Sequence, residues 1–389
     1  MPPHWQALTV LTAARTSMGF QFQSIASVSP DLVTQLGLSY ADLGTLIGLY
    51  FLPGLALALP GGMLGHRFGD KRVVICGLLL MFAGGLITAL AWDFPSLAAG
   101  RLLSGVGGVL LNVLMAKMMT DWFAGRGEIV LAMAVFVNSF PIGMGLATIS
   151  LGTLASAVGW SASLAATAAA ALVALLLLGT YKQHPNDGAG VVAREKISNR
   201  EARLVCLAGI IWGLFNGAIS VMFGFAPIFL VGEGHSAAQA GLLAGIAIWL
   251  SAVSVQIGGF LGQAWSRPTT LMAIGALGWA AGLAVLAAGA GFSGAALIGS
   301  GLLMGLPVGV IMAMPARVLR PESRAVGMGL FYTCLYLGHS LMPAAAGWLR
   351  DVTGSAAPPL LITSLLVAGM LPLYALFQVA QRRAAAPAA

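Results

Sequence analysis

The sequence predicts an all-α polytopic membrane protein with twelve transmembrane helices arranged as two pseudo-symmetric six-helix bundles. Three observations lead there. Apolar runs of about 18 to 25 residues recur along the chain, and about 20 helical residues cross a hydrocarbon core about 30 Å thick. Of the 389 residues, 59% are hydrophobic, 8% are charged and 52 are glycine, a balance that suits a bilayer better than a soluble fold. The runs do not alternate as barrel strands do, so their backbone must be satisfied inside helices.

In order, the spans fall at 6–28, 41–64, 73–92, 96–118, 129–153, 160–181, 204–232, 238–262, 270–290, 293–316, 326–348 and 358–380. The first is longer than a signal-peptide core and no convincing cleavage site follows it, so it is expected to stay as a helix. The second ends in Pro60-Gly-Gly-Met-Leu-Gly65 and the eighth in Ile257-Gly-Gly-Phe-Leu-Gly262, 197 residues later. Ala132-Met-Ala-Val-Phe136 in the fifth is echoed by Gly327-Met-Gly-Leu-Phe331 in the eleventh at an offset of 195. Two echoes at nearly one offset predict two related bundles, 1–181 and 204–389, joined through the longest hydrophilic stretch, 182–203, as a cytoplasmic linker.

Charge orients the chain. Of the 19 Lys and Arg, Arg15 and Arg101 fall within spans, Arg350 falls in one set of loops, and all the others fall in the opposite loops or at the C-terminus. The positive-inside rule then predicts a multi-pass protein of a bacterial-type inner membrane with both termini cytoplasmic. The net charge of +7 is thus a topology signal, and no nucleic-acid partner is expected. Cys76, Cys206 and Cys334 lack metal-ligand spacing and are expected to be ordinary buried thiols. No cluster of His, Asp, Glu or Cys suits a metal or a nucleophile, and no phosphate-binding loop occurs. Neither an enzyme, a metal, a cofactor nor direct ATP drive is expected.

Gly62-Met-Leu-Gly-His-Arg-Phe-Gly-Asp-Lys-Arg72 joins the second and third spans. Gly62 permits close packing, Gly69 permits a tight turn, and the cations hold the loop in the cytoplasm. In the fourth span, Arg101, Ser104, Gly105, Gly108 and Asn112 share one helical face, a polar stripe suited either to a water-filled cavity or to packing, with Arg101 reaching the surface. Through these two segments the chain resembles the major facilitator superfamily over essentially its whole length. Gly62, Leu64, Arg67, Gly69, Lys71 and Arg72 match the family's loop, and Arg101-Leu-Leu-Ser-Gly105 is similar to its fourth-helix motif. The resemblance implies alternating-access transport of a small-molecule solute across the lipid bilayer, by an expected monomer. His66 stands where the family usually has Asp, and Asp70 where it usually has a base. That family Asp helps to latch the halves outward-open, so a latch here is expected to use His66 or Asp70. The helix-5 Gly-Pro signature of family antiporters is absent, although Asn138, Ser139, Pro141, Gly143 and Gly145 can bend that span.

Arg15 lies near the middle of the first span, where an arginine costs about 2.5–3.5 kcal/mol on insertion scales. None of the twelve acidic residues lies mid-span, so Arg15 has no core carboxylate. An anionic cargo would supply the counter-charge to its planar fork; the alternative pairs Arg15 with carbonyls, Gln21, Gln23 or a loop acid. Tyr332, Tyr336 and His339 share one face of the eleventh span, and Trp212, Asn216 and Ser220 one face of the seventh. With Arg101, Asn112 and Asn138 from the first half, and Trp249 and Gln256 from the eighth span, they are candidate cargo contacts. If protons are coupled, His339 is the candidate titrating group. The expected function is secondary transport of a small anion. Arg15 and Asp121-Trp-Phe123 are most similar to the nitrate, oxalate and cyanate porters of the family. The rival is a proton-linked exporter of drugs or amphipathic metabolites.

Overall fold

The computed structural model describes residues 2–58, 60–185, 197–265, 267–289 and 291–385. Residues 186–196, the middle of the predicted linker, lie outside this range. The described residues are nearly all helical. The first half contains α1 (Pro3–Ser27), α2 (Ser29–Leu36), α3 (Tyr40–Leu49), α4 (Gly54–Leu57), α5 (Pro60–Phe68), α6 (Asp70–Ala89), α7 (Phe94–Phe123), α8 (Ile129–Val158) and α9 (Trp160–Gly179). The second contains α10 (Asn199–Gly232), α11 (Ala237–Trp265), α12 (Pro268–Ala288), α13 (Ser293–Met304), α14 (Val308–Ala316), α15 (Arg324–Thr353), α16 (Ala357–Ala368) and α17 (Met370–Ala385).

Local chemistry starts and stops these rods. Ser39 with Asp42, Asp93 with Ser96, and Ser198 with Glu201 form reciprocal capping boxes that satisfy the first backbone donors of α3, α7 and α10. The expected unbroken span 41–64 is interrupted between α3 and α4, because Pro53 has no N–H for the carbonyl of Leu49. Pro307 similarly divides the tenth column into α13 and α14, and the twelfth divides at Gly369 into α16 and α17. Cys76 is exposed and Cys206 and Cys334 are half-buried, so the expectation of three buried thiols fails. A helix facing lipid has no reason to hide a thiol.

Among the described residues, ten segments are long and apolar enough to cross a bilayer. The two remaining long columns, α1 and α15, fall short because polar residues interrupt them, and these are the two that carry Arg15 and His339. Within the first half α6 packs on α7 and α9, and α1 on α8; within the second α10 packs on α15, and α12 on α13 and α16. Two seams join the halves, α3 against α15 and α8 against α11.

Both seams are tightest at the end of the bundle away from the start of α1. Glycine lets the α3–α15 seam close: a Cβ on Gly44 would strike the carbonyl of Pro343, and one on Gly48 the carbonyl of Ser340. Asp351 finishes the closure, accepting from the backbone N–H groups of Tyr40 (3.0 Å) and Ala41 (2.7 Å) at the start of α3. Arg350 lies 3.8 Å over the Tyr40 ring. In the other seam, Thr148 and Ile149 of α8 abut Gly241 and Gly245 of α11. At the opposite end α5 packs on α6 and α7 of its own half. The closest backbone approaches of the two seams thus lie toward one end of the bundle, the end away from the start of α1.

Candidate functional site

The polar contacts in the middle of the bundle start from α1. Pro141 interrupts α8 and leaves the Val137 carbonyl, four residues earlier, without its helical donor. Arg15 fills that vacancy: Nη1 donates to the carbonyls of Val137 (2.8 Å) and Phe136 (3.0 Å), and Nη2 donates to Asn112 Oδ1 (3.3 Å). The guanidinium lies 4.9 Å from the Phe136 ring centroid and 5.8 Å from that of Phe140. Its Nε is buried and has no acceptor. The same device recurs on α10, where Pro227 frees the Phe223 carbonyl and Gln23 Nε2 donates to it at 2.9 Å across the two halves. Polar residues that lower the hydropathy of α1 thus satisfy backbone groups that prolines in its neighbours release.

Asn112 carries the network on, its Nδ2 donating to Tyr336 Oη at 3.4 Å in the second half. Tyr336 is buried, and Tyr332, one turn earlier on α15, is half-buried. Above them the His339 imidazole stacks on Phe51 at 4.4 Å and binds Ser220 Oγ through Nδ1. On α10, Trp212 lies parallel to Phe215 (5.2 Å) and Phe331 (6.0 Å), its carbonyl accepts from Asn216 Nδ2 at 2.8 Å, and its Nε1 is buried without an acceptor. The fold therefore draws Arg15, Asn112 and Tyr336 into one hydrogen-bonded set bridging the halves. Asn138 is half-buried on α8 and Gln256 exposed on α11, neither bonded to that set, while Trp249 donates to the Ile142 carbonyl in the α8–α11 seam.

Arg101 does not reach the surface: at 1% exposure, its Nε, Nη1 and Nη2 donate to the carbonyls of Leu46, Gln21 and Phe22 at 2.9–3.0 Å. The guanidinium rests 4.6 Å over the Tyr50 ring, tying α7 to α1 and α3. It is a clamp inside one half.

The loop at 62–72 also resolves into parts. Gly69 adopts φ +89°, the turn its position requires. Asp70 is buried and paired with Lys117, which also holds Asp121 at 3.1 Å, while Lys71 Nζ donates to the Tyr181 carbonyl at 2.7 Å. In the conformation described, Asp70 is therefore engaged within the first half. Gly62, His66 and Arg67 are exposed.

Sequence reasoning missed Phe136 and Phe140 beside Arg15, and Phe22 and Phe51 around His339. The spacing of Val137 and Pro141 was a usable signal for the first pair, because a proline always orphans the carbonyl four residues back. Nothing local marks the second pair, which meets His339 only through tertiary packing.

Residues 11–343 match the family model described as Major Facilitator Superfamily. The chain is 27% identical over 369 residues to a 3-(3-hydroxy-phenyl)propionate transporter of Escherichia coli, covering 90% of this chain and 89% of that protein. It is also 27% identical over 180 residues, 44% of this chain and 35% of the other, to the multidrug transporter mfsC of Aspergillus fumigatus. Among solved structures, a bacterial homologue of the human lysosomal transporter Spinster, in an inward-facing and occupied conformation, superposes with a TM-score of 0.76 at 17% identity, covering 100% of both chains.

Proposed function

The chain belongs to the major facilitator superfamily, and within that family of transporters we propose that it carries a small organic anion, an aromatic carboxylate, by alternating access. The observation that carries this reading is Arg15. Its guanidinium lies near the middle of α1 with no carboxylate in the surrounding core, and its Nε–H is buried without an acceptor. An intramembrane cation of this kind is functional by default. A carboxylate accepts from a guanidinium edge in two parallel bonds, which nothing in the protein itself does for Arg15.

The walls argue for the aromatic part. Phe136 and Phe140 stand beside the guanidinium and Tyr332 and Tyr336 belong to α15 across from it; of these, the half-buried Phe140 and Tyr332 are the rings against which an aromatic group attached to the carboxylate can pack. The E. coli relative, matched over nearly its full length, is by its name a transporter of such a compound. The likeness to nitrate, oxalate and cyanate porters rests on Arg15 and a short segment after the fourth span, and the aromatic lining favours a larger cargo than these. With the cationic loops in the cytoplasm, the closed seams lie at the outer face. Export of amphipathic compounds is the second reading, favoured by partial likeness to drug-resistance transporters.

The test is binding to purified protein, read as thermal stabilisation by 3-phenylpropionate, benzoate, nitrate, oxalate and a panel of amphipathic cations. Stabilisation by the aromatic acids is expected, and its loss in Arg15→Ala and Arg15→Lys. Stabilisation by amphipathic cations alone would favour the exporter; undiminished carboxylate binding by Arg15→Ala would remove the anion site.

A further inference from the structure

Among the described residues the mid-membrane part of the bundle contains no Asp or Glu, and of the five histidines only His339 lies in the middle of a column. Its surroundings are unusual. Nδ1 meets Ser220 Oγ of α10, in its own half. The imidazole face stacks on Phe51 at an interplanar angle of 28°, and its edge meets Phe22 at 6.0 Å; both rings belong to the other half. The next residue, Ser340, lies where α3 crosses α15 at Gly48. His339 is therefore walled by rings that must leave when the α3–α15 seam opens, and it is 5% exposed while the seam is shut.

No carboxylate faces it. From α10 come Ser220 and Asn216, whereas Glu201, Arg203 and Cys206 sit at that helix's start. On α3 the titratable groups are Tyr40 and Asp42 at its start, about two turns from Gly48, and the break after α3 brings Tyr50. From α1 comes Phe22, with Arg15 about two turns away and held on α8. The segments α14 and α16 carry no titratable group. On α15 itself the nearest are Tyr336 and Cys334, with Tyr332 a turn further and Arg324, Arg350 and Asp351 at the helix ends.

Building on the anion reading, we propose that His339 is the proton-coupling residue of the transport cycle. A neutral imidazole takes a proton from external water onto its free ring nitrogen when α3 and α15 part. It carries that proton as imidazolium while the cargo carboxylate is bound, and gives it to water on the inner side after the cargo leaves. One proton then moves with each monocarboxylate and no net charge crosses. The physical cause is hydration: an imidazolium shut behind Phe22 and Phe51 loses its water, and a stacked phenyl ring returns only part of what is lost. Without cargo, protonation must therefore favour the parted seam, and the outer end should open as pH falls through the histidine range.

The test has a cargo-independent arm. In a variant with Cys76, Cys206 and Cys334 replaced by alanine, Ser340→Cys reports opening of the seam to an impermeant thiol reagent added outside, normalised to a cysteine at the exposed Ser355. Between pH 8 and pH 5 the normalised rate should rise about tenfold, because a site that binds its proton more tightly with the seam open shifts the balance toward the open seam as protons are added. The rise should vanish when His339→Gln is added, which keeps a partner for Ser220. An equal rise in His339→Gln, or none in its parent, overturns the proposal. In liposomes, an inward proton gradient should drive 3-phenylpropionate accumulation by the wild type. His339→Gln should lose accumulation yet still exchange labelled for unlabelled compound; full accumulation by that variant also overturns it. If the wild type exchanges no 3-phenylpropionate, the cargo reading fails while the accessibility arm still decides the role of His339.

Discussion

Arg15 and Arg101 are both guanidiniums inside the first half, one on α1 and one on α7, and they end in opposite situations. Arg101 is sealed at 1% exposure, with all three nitrogens donating to carbonyls of α1 and α3 and a tyrosine ring beneath. Arg15 is half-buried, takes two carbonyls of α8 and one amide oxygen, and leaves Nε without an acceptor. An intramembrane arginine therefore does not by itself mark a site. What separates clamp from candidate site is whether the protein has already engaged every guanidinium nitrogen.

The largest effect should come from the clamp. Removing Arg101 leaves three buried carbonyls short of a donor and unties α7 from α1 and α3, so Arg101→Ala should destabilise the protein by about 3–5 kcal/mol, the scale for breaking a buried charged interaction. Arg101→Lys should fare little better, because one ammonium cannot span three carbonyls. Melting of detergent-solubilised protein checks this, and wild-type melting of Arg101→Ala would erase the contrast.

Arg15→Ala should behave the other way. Losing bonds to Val137 and Phe136 is offset by removing a mid-membrane cation that costs about 2.5–3.5 kcal/mol, so melting should change little while cargo exchange falls at least about a hundredfold. Equal damage to stability in both variants would make Arg15 a second clamp.

Pro141→Ala sharpens the comparison further. It restores an N–H to the Val137 carbonyl, which then competes with Arg15 for that oxygen. Cargo affinity should shift about tenfold, equivalent to about 1.4 kcal/mol, as the guanidinium loses an anchor. Unchanged affinity would mean that the freed carbonyl does not position Arg15.

The smallest effect concerns the seam above the site. Asp351→Asn removes a negative charge from the N-terminus of α3, a loss of about 0.3–1 kcal/mol, and should move the balance between the closed and open α3–α15 seam by a factor of about 2 to 5. Outer accessibility of Ser340→Cys measures it; no change would leave glycine packing alone to hold the seam.

Much of this was legible in the chain. Long apolar runs and the 197-residue echo specify a helical membrane bundle, because lipid leaves the backbone no other way to satisfy its hydrogen bonds. Arg15 also stood out, since a cation far from any acid is conspicuous in an apolar run. Its partners were harder to see. Val137 becomes an acceptor only because Pro141 follows four residues later, and Asn112 reaches both Arg15 and Tyr336 only because α7 lies between α1 and α15. Arg101 shows the reverse failure: its stripe of small residues reads equally as cavity or as packing, and only the approach of α1 and α3 makes it packing.

By itself, then, the sequence determined the solvent, the secondary structure and which polar residues had to be explained, since these follow from local composition and from backbone hydrogen bonding in hydrocarbon. Tertiary structure alone decided which of those residues are spent on the protein's own carbonyls and which keep a donor free. That outcome depends on groups more than a hundred residues apart, Arg15 with the Val137 carbonyl and Asn112 with Tyr336, meeting within hydrogen-bond distance, and no local pattern encodes such a meeting.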